Sequence, residues 1–279
     1  MHQEIKCRVA PSLGGGFAGT PEKVWGTKPY NAETDKELPC VFFGLYGLPD
    51  FYALWRHKGK KWILWAGSDI RHFISGYWLA EKGEIKIEPR ALAKWINKNC
   101  ENWTENEIEA NALKKFGIKS KICPSFMGNK NKYPISYQWN KKPKVYASVS
   151  GNDFLLYRWP EIEILGKKYS DIEFYLYGNT APWRTKNKNV IIRGRISQDM
   201  MNEEIQDMQG GLRLLPFEGF SEIVAKGILW GQYPISAIKY PHTLSISEIG
   251  KLKNKKEPNF AGRKYYFNML NKYPWNCRM

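Results

Sequence analysis

Short apolar runs alternate with amphipathic stretches along this chain. In the first half, residues 5–10 form a short strand. Residues 40–45 (CVFFGL) and 62–65 (WILW) are continuous, as expected of strands covered on both faces. Between them, Phe51, Leu54 and Trp55 recur at helical spacing over 51–57. Thr20 and Pro21 open a short helix carrying Val24 and Trp25. Residues 88–100 form an amphipathic helix. In the next one, Thr104 and Glu107 make a Thr-x-x-Glu capping box, Ile108, Ala112, Leu113 and Phe116 form the buried stripe, and Gly117 stops it. A strand follows over 118–124. The second half repeats the pattern, with strands over 145–150, 172–177, 190–193 and 212–215. A helix begins over 154–159 and is cut by Pro160, and another over 199–208 is capped by Ser197. Residues 263–272 form a terminal helix. Strands alternating with helices predict an α/β fold with parallel sheets covered on both faces. Residues 129–144, polar and basic with two prolines, predict the linker between a domain over 1–140 and one over 141–262, followed by a terminal segment over 263–279.

Candidate chemistry lies in the turns that follow buried strands, where α/β sheets place ligands. Gly15 and Gly16 follow the first strand, where either a backbone passes close to a ligand or the loop is simply flexible. Gly67, Ser68 and Asp69 follow the WILW strand. After the strand over 212–215, Glu218 and Gly219 turn the chain and Ser221 can cap a helix. Ile223, Val224, Gly227, Ile228 and Trp230 then recur at helical spacing, and Gly231 ends the helix. The positive end of this helix favours a phosphate.

The stretch FEGFSEIVAKGILWGQYPIS (217–236) resembles the donor-binding motif of GT-B glycosyltransferases, in particular the large retaining group that uses nucleotide-sugar donors. The segments SVSGN, DIEFYLYG and NVIIRGR precede it in the order of that family's C-terminal half, so the likeness covers roughly 145–240. The resemblance implies two Rossmann-like domains facing each other across a cleft, the last helix crossing back to the first domain with Trp275 as anchor. It also implies that Glu218 touches the transferred sugar, and that the backbone of Gly219, Phe220, Ser221 and Glu222 holds the donor diphosphate. Gly15, Gly16, Gly151, Asn152 and Gly178 lie at donor-facing turns of the family pattern. Asp69, in a turn like the family's G-S-D, either acts on a sugar or acceptor hydroxyl or caps a helix. The family's second glutamate, eight positions after the first, is here Lys226. Its diphosphate-neutralising arginine and lysine are not at their usual spacing, which leaves Arg158, Arg193, Arg195, Arg213 and Lys226 as substitutes.

Charge widens the choice of partners. Forty-three Lys and Arg against 27 Asp and Glu give a net charge of +16, which favours a polyanionic partner, either nucleic acid or an anionic membrane surface. The five scattered cysteines form no CxxC pair, which fits free thiols in a cytoplasm (a host's, for a viral chain) and disfavours a zinc site. No Asp-x-Asp occurs, which agrees with a metal-independent reaction needing no cofactor beyond the nucleotide-sugar co-substrate. No run of about 18 apolar residues predicts a transmembrane segment, and the N-terminus has no signal-peptide core. Three readings stay open: transfer to modified DNA bases, as by phage enzymes that glucosylate hydroxymethyl pyrimidines; transfer to a lipid-linked or polysaccharide acceptor; and a non-catalytic nucleic-acid-binding protein on the same scaffold.

Overall fold

The computed structural model describes residues 4–13, 17, 19–80, 83–149, 153–178 and 183–278. Gly15, Gly16, Gly151 and Asn152 lie outside the described residues. The chain divides into two compact units. The first comprises Met1–Asn129, Phe217–Phe220 and Met269–Met279, the second Lys130–Pro216 and Ser221–Asn268.

The first unit is built from β1 (Lys6–Val9), α1 (Thr20–Val24), β2 (Lys28–Pro29), β3 (Cys40–Phe43), α2 (Leu48–Arg56), β4 (Lys61–Leu64), α3 (Ser68–Ser75), β5 (Tyr77–Ala80), β6 (Gly83–Lys86), α4 (Pro89–Asn99), β7 (Glu101–Thr104), α5 (Glu107–Lys114) and β8 (Ser120–Ile122). Six of the strands form a parallel sheet in the order β2-β1-β3-β4-β7-β8, and β5 pairs with β6 as an antiparallel hairpin. Alternate side chains of each strand serve opposite faces. Cys40, Phe42 and Ile63 join Leu54, Phe73, Ile96 and Leu113 on one side. Val41, Phe43, Trp62 and Leu64 join Trp25, Trp103, Tyr273 and Trp275 on the other. Trp275 is fully buried, and its ring stacks on Tyr273 at 4.4 Å.

One predicted cap is corrected here. Thr104 is the last residue of β7, not a helix cap, because its hydroxyl is held across the sheet by Ser120 Oγ at 3.2 Å. The cap of α5 is Asn106, whose Oδ1 accepts from Glu109 N at 3.0 Å.

The second unit contains β9 (Lys144–Ser148), α6 (Trp159–Lys168), β10 (Glu173–Tyr177), β11 (Val190–Gly194), α7 (Gln198–Ile205), β12 (Gly210–Arg213), α8 (Glu222–Leu229), β13 (Ile235–Ser236), a 3-10 segment (Ile246–Asn254) and most of α9 (Phe260–Met269). Its sheet is parallel, in the order β11-β10-β9-β12-β13. Val145, Ala147, Ile162, Phe174, Leu176 and Leu212 pack on one face. Tyr146, Tyr177, Ile205, Ile223 and Trp230 pack on the other. Pro160 does not cut a helix, as the sequence suggested, but sits in the first turn of α6, where the missing N–H costs nothing. The helix over 199–208 is present as α7, capped by Ser197 Oγ, which accepts from Met200 N at 3.2 Å.

In this sheet the chain runs outward from β9 to β10 and β11, then returns to place β12 and β13 on the other side of β9. The strand order therefore reverses between β9 and β12, and the carboxyl ends of these two strands are where such sheets leave a crevice.

Candidate functional site

A cavity of about 570 Å³ lies at that reversal, a volume within the usual range for small-molecule sites. Ser148 and Val149 line it from the end of β9, Tyr177 and Gly178 from the end of β10, and Arg213 from the end of β12. Arg195 and Ile196 come from the turn after β11, Gln198, Met201 and Asn202 from α7, and Glu222, Ile223 and Lys226 from α8. Gly178 has φ +137°, and a Cβ on it would stand 2.7 Å from Val149 O, so a side chain there is excluded.

Among the described lining residues, three cations face one carboxylate, Glu222. Arg195 is exposed. Arg213 is half-buried, its guanidinium over the Tyr157 ring at 4.7 Å. Lys226 is half-buried and its Nζ donates to Asn202 Oδ1 at 3.3 Å. Burial lowers its pKa, opposed by the charges of Glu222 and Asp199. Glu222, Ile223 and Lys226 line the cavity from one side of α8, starting in its first turn, so the positive end of that helix lies at the cavity's edge. Ser221 is the N-cap residue with extended backbone, but its side chain makes no capping bond. The arrangement suits a dianion seated between a helix end and three basic side chains.

Two predicted arginines are engaged elsewhere. Arg193 donates twice to Glu204, at 2.9 and 2.6 Å, and Tyr177 Oη donates to the same carboxylate at 2.8 Å. Arg158 adopts a left-handed backbone, φ 57°, and pairs with Glu161 at 2.9 Å on an exposed surface. Neither lines the cavity.

Glu218, Gly219 and Phe220 pack with the first unit. There Asn106 Nδ2 donates to Glu218 O, and Phe220 N donates to Glu105 Oε2, both at 2.7 Å. Asp69 is fully buried in the same unit and accepts from the backbone N–H of Leu45 at 2.9 Å, Ala66 at 3.0 Å and Ile70 at 2.8 Å. It ties the turn after β3 to the turn after β4. Burial outweighs these three bonds and pushes its carboxyl up to about 7. Glu105, Asn106 and Glu109 were not among the expected site residues. The sequence signal for them was polar residues directly after the buried strand β7, but the pattern there reads as an ordinary helix cap. Among the described residues, no group of His, Cys, Asp and Glu is arranged to hold a metal ion, and no helix is long and apolar enough to cross a membrane.

No family model matches the chain, and no curated protein matches it in sequence. Solved structures do match. One is a glycosyltransferase from Rickettsia africae ESF-5, with a TM-score of 0.59 and 12% identity over 96% of this chain and 94% of that one. Another is HepE of Anabaena, solved with UDP and glucose, with a TM-score of 0.56 and 9% identity over 96% and 95%. A third is TarM, with a TM-score of 0.55 and 14% identity over 85% of this chain and 52% of TarM, so the chain spans about half of TarM's length. Two units with parallel sheets, matched over nearly the whole chain by such structures, give this protein the α/β fold of the GT-B glycosyltransferases.

Proposed function

We propose that the chain transfers a sugar from a nucleoside diphosphate donor to a hydroxyl acceptor. The observation that carries this reading is the basic cavity at the strand reversal of the second sheet, met by the first turn of α8. In the proposed reaction the bond between the anomeric carbon and the diphosphate oxygen breaks. The acceptor oxygen bonds to that carbon, and its proton passes to the departing phosphate oxygen. Positive charge develops on the sugar and negative charge on the diphosphate. Arg195, Arg213, Lys226 and the α8 dipole would meet the negative charge with the chain's own groups and no metal, a preorganised stabilisation that needs no solvent rearrangement. Glu218 would contact the sugar, and transfer on the face the diphosphate leaves would retain the anomeric configuration.

The experiment is titration of the chain with UDP and UDP-glucose, followed by turnover of UDP-glucose. Binding of UDP together with sugar release that disappears in Glu218→Ala supports the reading. Absence of binding by every nucleoside diphosphate tried refutes it, since a ligand bound only by the folded state must raise its thermal midpoint.

The proposed acceptor is carried on a polyanion, and a cytoplasmic setting goes with it. A net charge of +16 exceeds what one diphosphate needs, and all five cysteines are free. Modified DNA bases are the first acceptor to test. Affinity for DNA containing hydroxymethyl pyrimidines should fall steeply with salt. Preference for anionic vesicles over that DNA would move the proposal to a lipid-linked acceptor.

A further inference from the structure

We infer that Glu105 and Asn106 are positioning residues that hold the Glu218 turn in its working conformation. This rests on the reading that Glu218 meets the sugar. The turn is gripped by its backbone from both sides of Gly219: the carbonyl of Glu218 accepts from Asn106 Nδ2, and the amide of Phe220 donates to Glu105 Oε2, each at 2.7 Å. These two bonds fix the peptide planes on either side of Gly219, and with them the direction in which Glu218 leaves the chain.

The clamp is itself braced. Glu105 Oε1 accepts from Ser125 Oγ, and Glu105 N donates to Glu109 Oε2 at 2.9 Å. Asn106 uses its other side-chain atom to cap α5 through Glu109 N. Contact is close enough that only glycine fits at two places. A Cβ on Gly67 would stand 2.7 Å from Gly219 N, and a Cβ on Gly219 would overlap Glu105 Oε2.

Burying acids here is expensive, and an apolar contact would hold a loop as well. Glu109 is fully buried, and its Oε1 has no hydrogen-bond partner among the described residues. Burial, the neighbouring Glu105 and Asp69 drive its carboxyl well above the usual range. A carboxylate makes a shorter, stronger bond to an amide than a neutral acceptor does. Such a set specifies direction, which is what a side chain meeting a reacting sugar needs.

Asn106→Ser separates the two jobs of Asn106. Serine caps a helix about as well as asparagine, but it is too short to reach Glu218 O. With UDP-glucose as probe, the expected result is a kcat lower by about 10- to 100-fold, the scale of an ångström-sized misplacement. UDP affinity should stay within about twofold, and the thermal midpoint should fall only by what the lost bond to Glu218 O costs, since the cap is conserved. Glu105→Ala should behave likewise in kcat, and Glu105→Gln, which keeps an acceptor for Phe220 N, should restore most of it. Independently of turnover, amide exchange at Phe220 should speed up in Asn106→Ser and Glu105→Ala. Wild-type kcat in Asn106→Ser, beside an inactive Glu218→Ala, overturns the clamp and leaves the sugar-transfer reading standing. Full turnover by Glu218→Ala overturns both. Unchanged exchange at Phe220 overturns the clamp whatever the activity.

Discussion

Replacing Lys226 by methionine tests the cavity directly. Methionine keeps an unbranched stem of similar length, so the packing of the lysine methylenes on α8 is retained while the ammonium is removed. Lys226 Nζ donates to Asn202 Oδ1 at 3.3 Å, a neutral group, and the charges of Glu222 and Asp199 do not outweigh the cost of its burial. A hydrogen bond from this ammonium to a diphosphate oxygen is worth about 1.5–3 kcal/mol. At about 1.4 kcal/mol per decade, its loss weakens UDP binding by about 10- to 150-fold. The free protein should not suffer, because burial disfavours the charged amine in the folded state and its removal relieves that cost. The assay is calorimetric titration of wild type and Lys226→Met with UDP at low ionic strength, with thermal melts of both. A UDP Kd within about twofold of wild type would refute the assignment of the cavity to a diphosphate, since a cation in the site cannot be energetically silent towards a dianion.

Other outcomes follow from the same geometry. Burial holds the Lys226 pKa below its ordinary 10.5 and a bound diphosphate raises it, so UDP binding should take up protons. Affinity is then full below the free-protein pKa and falls as pH rises through it, which titration in buffers of different ionisation enthalpy will detect and which Lys226→Met should abolish. Arg193→Ala should leave the UDP Kd unchanged, since that guanidinium is committed to Glu204, whereas Arg213→Ala should weaken it in the same titration. Asp69 titrates near 7 when folded and at 3.8 ordinarily, so its contribution to stability is full below about pH 4 and is lost as pH rises to about 7. Thermal midpoints of Asp69→Asn between those pH values should show a flatter profile than wild type. Gly178→Ala should cost about 1–3 kcal/mol of unfolding free energy in denaturant titration, because alanine must take a positive φ against Val149.

Much of the fold was legible because buried parallel strands need apolar side chains on both faces. All four residues of β3 are buried, and they stand out in the sequence as CVFF. Helix α8 was marked at its start by Ser221 and just beyond its end by Gly231, which does take φ +85°. The errors came where one residue type has two uses. Thr104 fits a capping box, but β7 claims it first, because its hydroxyl bonds Ser120 across the sheet, so the cap passes to Asn106. Pro160 is a helix breaker in the middle of a helix and a helix opener at its start, and the apolar pattern before it extended the helix on the wrong side.

The candidate site divides along a similar line, set by distance along the chain. Gly178, Arg195 and Arg213 end or follow strands, and Glu222 and Lys226 lie on the helix after β12, so the α/β topology carries them to one end of the second sheet, where they share a cavity. Arg193 sits in the same kind of place, yet Glu204 takes its guanidinium, and nothing in the eleven-residue spacing announces that pairing. The grip on the Glu218 turn is harder still to foresee. Its two bonds join residues 112 and 115 positions apart, and each uses a backbone atom on one side, so no pattern of side chains need mark the turn. Only the glycines hint at it. Gly67 and Gly219 both look like ordinary turn residues, and apart from the φ of +86° at Gly67 the turn itself would tolerate substitutes. Their mutual approach would not, because a Cβ on Gly67 would come within 2.7 Å of Gly219 N. A chain that spends two glycines, an asparagine and a buried carboxylate on a single turn is constraining its backbone, and the side chain whose direction that backbone sets is Glu218.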